Sequence, residues 1–340
     1  MRLLKTVFFA RLLLLPAGAM LAQDTPLLSG SVAFVTNTTG GDTTYIPLIQ
    51  PLAAVPLGDH FLVESRALVL EDFTPNSTGY DHSHFAALTY LQGDYIATPH
   101  LTVVGGSFLL PFQTYNERLT PVWIGNFQDE PLSAPIGLMA GGVGLGGQLR
   151  GSLFSGAHSS FSYSAWFSAR SGNEQFNSER SSGGRASVYF PEQRLELGAS
   201  YGRLLQGKQG NYAGGHLWWE SKDAGFRLRS EATRGEHAYG YWLEADYRPF
   251  HDQTEGISFV RRFEPLFRMS QTFRIDNLAS DGVPGQNTQR ADFGLDYNLP
   301  HNTRILTSYS RQFSPGGDVN IWETGMVYRF LMPAWKGHQR

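Results

Sequence analysis

Gly142-Val143-Gly144-Leu145-Gly146-Gly147 has the spacing of a G-x-G-x-x-G phosphate-binding turn. A dinucleotide site needs that motif between a strand and a helix, so that the helix N-terminus can hold the pyrophosphate. Here it runs into Gln148-Leu149-Arg150-Gly151-Ser152-Leu153-Phe154, which alternates like a strand. It reads as a glycine-rich strand that begins where a loop crowds the chain. His82 and His84 place two imidazoles on one side of a strand with no third ligand in view, and His216 stands alone at the parity of Trp218 and Glu220. Neither supports a metal site, and no cofactor is expected. The sequence has no G-x-S-x-G elbow and no H-E-x-x-H motif. A Ser–His pair that meets only in space could still make a hydrolase, but no such pair stands out from the abundant serine.

What remains is a set of charges at alternate positions. Arg150, Arg170, Arg227, Arg229 and Arg329 share one strand parity with Glu220, Glu231 and Asp292, and Glu196, Glu244, Arg290 and Asp296 fall on it too. The opposite parity is apolar or aromatic. Phe161, Tyr163, Ala165, Phe167 and Ala169 alternate with Ser162, Ser164, Trp166, Ser168 and Arg170. Ala291, Phe293, Leu295 and Tyr297 alternate with Arg290, Asp292, Gly294 and Asp296. A period of two puts the two sets on opposite faces of a strand. Charges gathered on one face of strand after strand describe a wet surface backed by an apolar one.

The elements that would position these charges are sixteen strands, approximately 29–36, 45–55, 60–71, 84–96, 101–111, 141–154, 160–170, 184–191, 194–204, 212–221, 225–234, 238–247, 256–265, 288–298, 303–313 and 319–330. The weak points are 45–55, interrupted by Pro47 and Pro51, and 266–276, which could hide further strands; fourteen and eighteen are the neighbouring even counts. Many run to roughly 9–11 residues, the span of a tilted membrane strand. Short turns at 56–59, 98–100, 156–158, 191–193, 222–224 and 300–302 alternate with longer polar segments near 37–44, 72–83, 112–140, 171–183, 205–211, 266–287 and 314–318. Tight turns on one side and long loops on the other are the pattern of a transmembrane β-barrel. Aromatics at Tyr189-Phe190, Trp218-Trp219, Tyr241-Trp242, Tyr247, Tyr297, Tyr328 and Phe330 suit interfacial girdles.

The chain opens with Arg2, Lys5 and Arg11, then Leu12–Leu15, then Pro16-Ala17-Gly18-Ala19. A basic start, a short apolar run and a small-residue exit describe a signal peptide over 1–22, with cleavage near 19–22. The barrel then occupies 23–340 as a single domain. There is no cysteine, which excludes disulfides and thiolate zinc. The net charge is −3, and the signal carries three of the cations and no acid, which argues against nucleic acid as a partner. No run of about 20 apolar residues follows the signal, so no membrane helix is expected. A chain with 38 Gly, 23 Phe and 15 Tyr that is nevertheless polar on average fits strands half in lipid and half in water.

Two stretches resemble known proteins. Glu323, Gly325, Tyr328 and Phe330, in the last strand, resemble the C-terminal signal of bacterial outer-membrane β-barrels, which implies a strand that closes the barrel and is read by the barrel-assembly machinery. Gly106-Ser107-Phe108-Leu109-Leu110-Pro111-Phe112, with Tyr115–Leu119 and Pro121-Val122-Trp123, resembles a segment of porin-like outer-membrane proteins near the phosphate-selective porin group. That resemblance implies a channel whose loop 112–140 folds into the lumen. Arg118, Asp129 and Glu130 are then the constriction candidates, while Trp123 and Phe127 anchor the loop to the wall. The departure is chemical. Phosphate-selective members use lysines at the narrowest point, whereas Lys208, Lys222 and Lys336 are the only ones left after the signal. A mixed-sign lumen supports a weak ion preference, so phosphate selectivity is not expected.

The expectation is an all-β protein: a single transmembrane antiparallel barrel of sixteen strands in the bacterial outer membrane. It would meet outer-membrane lipid and pass small polar or ionic solutes by diffusion, without being an enzyme. A homotrimer is implied by resemblance alone. The competing readings are a non-conducting receptor or structural barrel and an outer-membrane hydrolase. A plugged lumen would favour the first, and a Ser–His contact near the lipid-facing rim the second.

Overall fold

The computed structural model describes residues 26–137, 142–156, 158–173, 177–207, 209–249, 259–276 and 281–333. The expected signal peptide and residues 334–340 of the tail lie outside them. The strands are β1 (Leu27–Thr39), β2 (Asp42–Leu57), β3 (Phe61–Asn76), β4 (Gly79–Thr98), β5 (Leu101–Leu109), β6 (Val143–Ser155), β7 (Ser160–Ala169) and β8 (Ser181–Phe190). They continue as β9 (Leu195–Leu204), β10 (Asn211–Glu220), β11 (Phe226–Arg234), β12 (Ala238–Tyr247), β13 (Phe263–Arg274), β14 (Thr288–Leu299), β15 (Thr303–Phe313) and β16 (Val319–Pro333). Each strand pairs antiparallel with its sequence neighbours, and β16 pairs with β1 from Leu27↔Pro333 to Thr39↔Ile321. The barrel is closed and has sixteen strands, as the alternation predicts. Closure satisfies the backbone of every strand and leaves no edge.

The two faces separate as the period of two requires. Along β12 buried and more open residues alternate from Ala238 to Tyr247. Phe167, Phe293 and Trp322 are 52–57% exposed on the outside, while Trp166, Asp292 and Glu323 on the inside are 4% exposed or less. Exposed large apolar side chains occur on nearly every strand, far beyond the patch a water-soluble monomer leaves open. A bilayer is the solvent that makes such a surface favourable. Outer aromatics pair near both strand ends. Trp219 with Phe226 and Phe263 with Tyr297 (centroids 6.0 and 4.7 Å) lie toward the end that carries both termini. Tyr239 with Phe273 and Tyr309 with Trp322 (4.8 and 4.6 Å) lie toward the other.

Four expectations need correction. The polar stretches at 37–44 and 72–83 are not long loops. Gly40 and Gly41 (φ 65° and 98°) form a two-residue turn, and Ser77-Thr78 form another, so β2, β3 and β4 extend to 16, 16 and 20 residues. Two successive positive φ values are what a tight hairpin needs, and glycine supplies them without strain. Second, Pro47 and Pro51 do not break β2. Its pairing with β1 is unbroken from Leu27↔Ala54 to Thr39↔Asp42, whereas its pairing with β3 skips 46–47 and 50–51. The prolines, which cannot donate, thin the ladder on one side only. Third, the thirteenth strand is 263–274 rather than 256–265; it occupies most of the stretch 266–276, where further strands could hide, and a short 3-10 turn (Phe259–Arg262) precedes it. Fourth, Trp218 and Trp242 are not girdle residues. They share parity with His216, Glu231 and Glu244 and point inward.

Candidate functional site

Between β5 and β6 the chain leaves the wall and crosses the lumen. This inner loop contains two single-turn helices, α1 (Tyr115–Arg118) and α2 (Ala134–Gly137). It starts on an apolar step in which Leu110 and Phe112 pack with Val104, Phe108 and Trp166 of the wall. The glycine-rich start of β6 makes the room: a Cβ on Gly144 would lie 2.7 Å from Leu110 Cδ2. The G-x-G-x-x-G stretch is therefore a packing device.

From there the loop is fastened strand by strand. Gln113, held at φ 60°, donates its backbone N–H to Ser200 Oγ (3.0 Å) and its side-chain amide to Ala232 O (2.8 Å) and Thr233 Oγ1 (3.0 Å). A non-glycine residue in the left-handed region costs free energy and persists only where its surroundings over-determine it. Glu231 on β11 takes three donors on Oε1: Thr114 N–H (2.6 Å), Thr114 Oγ1 (2.5 Å) and Tyr115 N–H (2.9 Å). Trp218 Nε1 donates to Thr114 Oγ1 at 2.9 Å. Tyr115 meets Trp242 edge-on (centroids 5.9 Å), and burial there pushes its phenol well above the usual range, so it stays protonated. Glu117 pairs with Arg185 at 2.5 Å.

The far half is held in the same way. Gln50 Oε1 accepts the Val122 N–H (2.9 Å), and Asn126 Nδ2 donates to Glu244 (3.0 Å) and Asp246 (3.2 Å). Phe127 lies 4.4 Å beneath the Arg268 guanidinium. Arg304 donates to Gly125 O, and Arg290 to Glu130 O at 2.5 Å. Val122 and Trp123 pack on Ala33, Val35, Leu306 and Val327. Hydrogen bonds or ion pairs reach β2, β3, β8, β9, β10, β11, β12, β14 and β15. The loop is a crossbar fixed at both ends.

The three constriction candidates lie on this crossbar in two groups. Arg118 makes a two-point ion pair with Glu196 (2.8 and 3.0 Å) and stacks 5.0 Å from the Trp218 ring. Asp129 sits 3.5 Å from Arg290, and Glu130, exposed to the lumen, offers its backbone oxygen to the same arginine. Arg118 and Asp129 are thus each met at short range by opposite charge on the wall.

The lumen-lining candidates separate by role. Arg229 is buried between Asp246 (3.0 Å) and Glu244 (3.6 Å), and Arg227 bridges Asp246 (2.7 Å) and Glu264 (3.2 Å). Asp292 is buried between Arg268 (2.7 Å) and Arg290 (2.9 Å). Glu231 is consumed by the loop. Arg150 pairs with Asp94. Glu220 lies at the end of β10, 3.9 Å from Arg194, and Arg170 is exposed one residue past β7. Arg329 is exposed into a cavity below the crossbar.

Of the closing-strand residues, Glu323 is buried and accepts from Ser308 Oγ (3.0 Å) and Asn37 Nδ2 (3.3 Å). A Cβ on Gly325 would lie 2.8 Å from Val35 Cγ1 and 3.1 Å from Gln128 Nε2, so this glycine admits both the seam and the loop. Tyr328 faces outward, and Phe330 lies over Gly30.

No family model matches the sequence, and no curated protein matches it by sequence. The structure has counterparts. It is similar to OmpF of Salmonella typhi, solved with daunomycin (TM-score 0.60, 11% identity, covering 90% of this chain and 97% of that one). It is similar to an anion-selective porin from Comamonas acidovorans (0.56, 12%, 90% and 99%). A loop-deleted form of OmpT, an outer membrane protein of Vibrio cholerae, also matches (0.59, 9%, 90% and 100%). The fold is that of bacterial outer-membrane porins. At these identities the likeness carries the architecture and nothing about the solute.

Sequence reasoning missed most of the loop's anchors. Gln113 and Asn126 carry no signal of their own, because their partners lie on strands about 90 to 120 residues away. Arg66 and Glu64 were legible by parity, two residues apart on β3. His82 and His84 do find a common partner in Glu71 across the β3–β4 hairpin, on its outer face.

Proposed function

We propose that this protein is an outer-membrane channel for the passive diffusion of small polar or ionic solutes, with the inner loop as its constriction. The observation that carries the reading is the crossbar: a segment of a closed, lipid-matched barrel that crosses a charge-lined lumen and is tied to walls on opposite sides. The Arg, Asp and Glu side chains that line the lumen support the reading, because rings of charged side chains are how pores offer ions and polar solutes a path. Arg118, Asp129 and Glu130 set the width and local field of the narrow region. Because Arg118 and Asp129 are paired with wall charges, the net field across the opening is small, and ion selectivity is correspondingly weak. Glu323, Gly325, Tyr328 and Phe330 serve as the assembly signal on this reading, and residues 1–22 as the export signal. The test is single-channel recording of the purified, refolded protein in a planar bilayer, with reversal potentials under a salt gradient. Discrete steps with weak selectivity are expected.

One observation favours a second reading, a non-conducting barrel. The crossbar reaches so many strands that it could fill the section it crosses. Insertion without steps would select that reading.

A further inference from the structure

Below the crossbar, toward the end that carries both termini, the lumen holds a cavity of about 380 Å³. That is within the range of small-molecule sites, roughly 300–1,000 Å³. Two of its charges are already neutralised, Arg150 by Asp94 and Glu117 by Arg185. Two guanidinium groups are not. Arg66 on β3 is 5% exposed, yet its one hydrogen bond among the described residues is a long one to Thr120 Oγ1 (3.4 Å), with the Tyr90 ring 5.4 Å away. No carboxylate among the described residues lies within ion-pair distance of it. A guanidinium has five N–H donors, and a buried one without an anion is a costly arrangement. Arg329 on β16 opens into the same cavity, exposed and likewise without an ion pair among the described residues. Facing them is one carboxylate, Glu64, that among the described residues has no ion pair and accepts only from Gln92 (3.2 Å). The rest of the lining is largely apolar, including Leu52, Trp123 and Ile124.

The geometry points to a binding site in this cavity for a small monocarboxylate with an apolar body, its carboxylate taken by Arg66 and Arg329 and its hydrocarbon part resting on Trp123 and Ile124. Two free cations against one free anion leave a surplus of one positive charge, which matches a monoanion better than a phosphate dianion. Arg66 supplies the planar two-point donor that carboxylates prefer. The inference names a solute class for the proposed channel and rests on that reading only for how the solute arrives.

The test is calorimetric titration of benzoate into the folded full-length protein in detergent, with acetate, inorganic phosphate and benzylammonium as comparators. Benzoate should bind at least tenfold more tightly than acetate or phosphate, and benzylammonium should not bind. Arg66→Gln should weaken benzoate at least tenfold and Arg66→Lys less. Heat-modifiable gel migration checks that each variant is folded. Should Arg66→Gln not fold, the exposed Arg329→Gln variant carries the test, with a loss of severalfold expected. No benzoate binding, unchanged binding in the folded arginine variants, or equal binding of phosphate or benzylammonium would each overturn the assignment. Binding without bilayer current would sink the channel and leave this site standing. Current without binding would do the reverse.

Discussion

Glu231→Ala removes the anchor that holds the first half of the crossbar. The carboxylate accepts three hydrogen bonds from Thr114 and Tyr115 on one oxygen and one from Trp242 Nε1 (3.3 Å) on the other. Hydrogen bonds to a charged group contribute about 1.5–3 kcal/mol each, and stranding a buried donor costs about 1–3 kcal/mol. Water entering the lumen recovers part of this, and deleting a buried charge recovers more, so the net loss is nearer the value of one or two bonds, about 3 kcal/mol. That is roughly a hundredfold in the equilibrium between docked and released loop. The readout is tryptic cleavage after Arg118, which lies in α1 directly behind this anchor. Cutting in the folded, detergent-solubilised barrel should accelerate by one to two orders of magnitude, with increased current noise in the bilayer. Glu231→Gln, which keeps an acceptor oxygen, should fall between. If Glu231→Ala leaves the folded barrel cut no faster than wild type, the loop is not held by these bonds and the reasoning fails.

Three other outcomes follow from the same geometry. Gly30→Ala forces a Cβ to within 2.2 Å of Gln50 O at φ +148°, beside Phe330, and should block closure of the β1–β2–β16 seam; the folded, heat-modifiable band should be lost or strongly reduced. Asn126→Leu removes the two hydrogen bonds that tie the loop to Glu244 and Asp246, which keep Arg229 and Arg227, and should cost about 1–3 kcal/mol of loop docking, read as a lower unfolding temperature in detergent and faster tryptic cutting. Arg118→Gln leaves Glu196 facing the lumen without its guanidinium, and the reversal potential under a salt gradient should move toward cation preference.

The barrel was legible in the sequence because period-two alternation is a local signal repeated sixteen times. Phe293 and Asp292 declare their faces from spacing alone, and the fold places one outside and the other buried inside. Boundaries were less legible where turn chemistry was read as loop chemistry. Gly40-Gly41 looked like part of a polar loop but is a two-residue hairpin, which lengthened β2 and shifted the polar residues around it onto strands. Pro265 and the charges on either side of it disguised β13, since Glu264 and Arg268 are lumen residues whose partners, Arg248 just past β12 and Asp292 on β14, are distant in sequence. The site was half legible. That Arg118, Asp129 and Glu130 lie on a loop followed from its composition. That Glu196 and Arg290 cancel two of those charges did not, because parity gives a residue's face and never its height in the barrel. Trp218 and Trp242 show the opposite lapse: their parity was available, and grouping them with their girdle neighbours overrode it.

On the proposed function, the crossbar bounds the solute path. The chain contains no cysteine, so a single introduced thiol reports without background. Ile124 is 40% exposed at the crossbar and lines the cavity beneath it. Single-channel current through Ile124→Cys should be recorded before and after a sulfonate-bearing methanethiosulfonate is added to the end that carries the termini. A stepwise fall in conductance with a shift toward cation preference is predicted. Verified labelling that leaves open-channel current and selectivity unchanged would mean that solutes pass elsewhere or not at all, and would contradict the account.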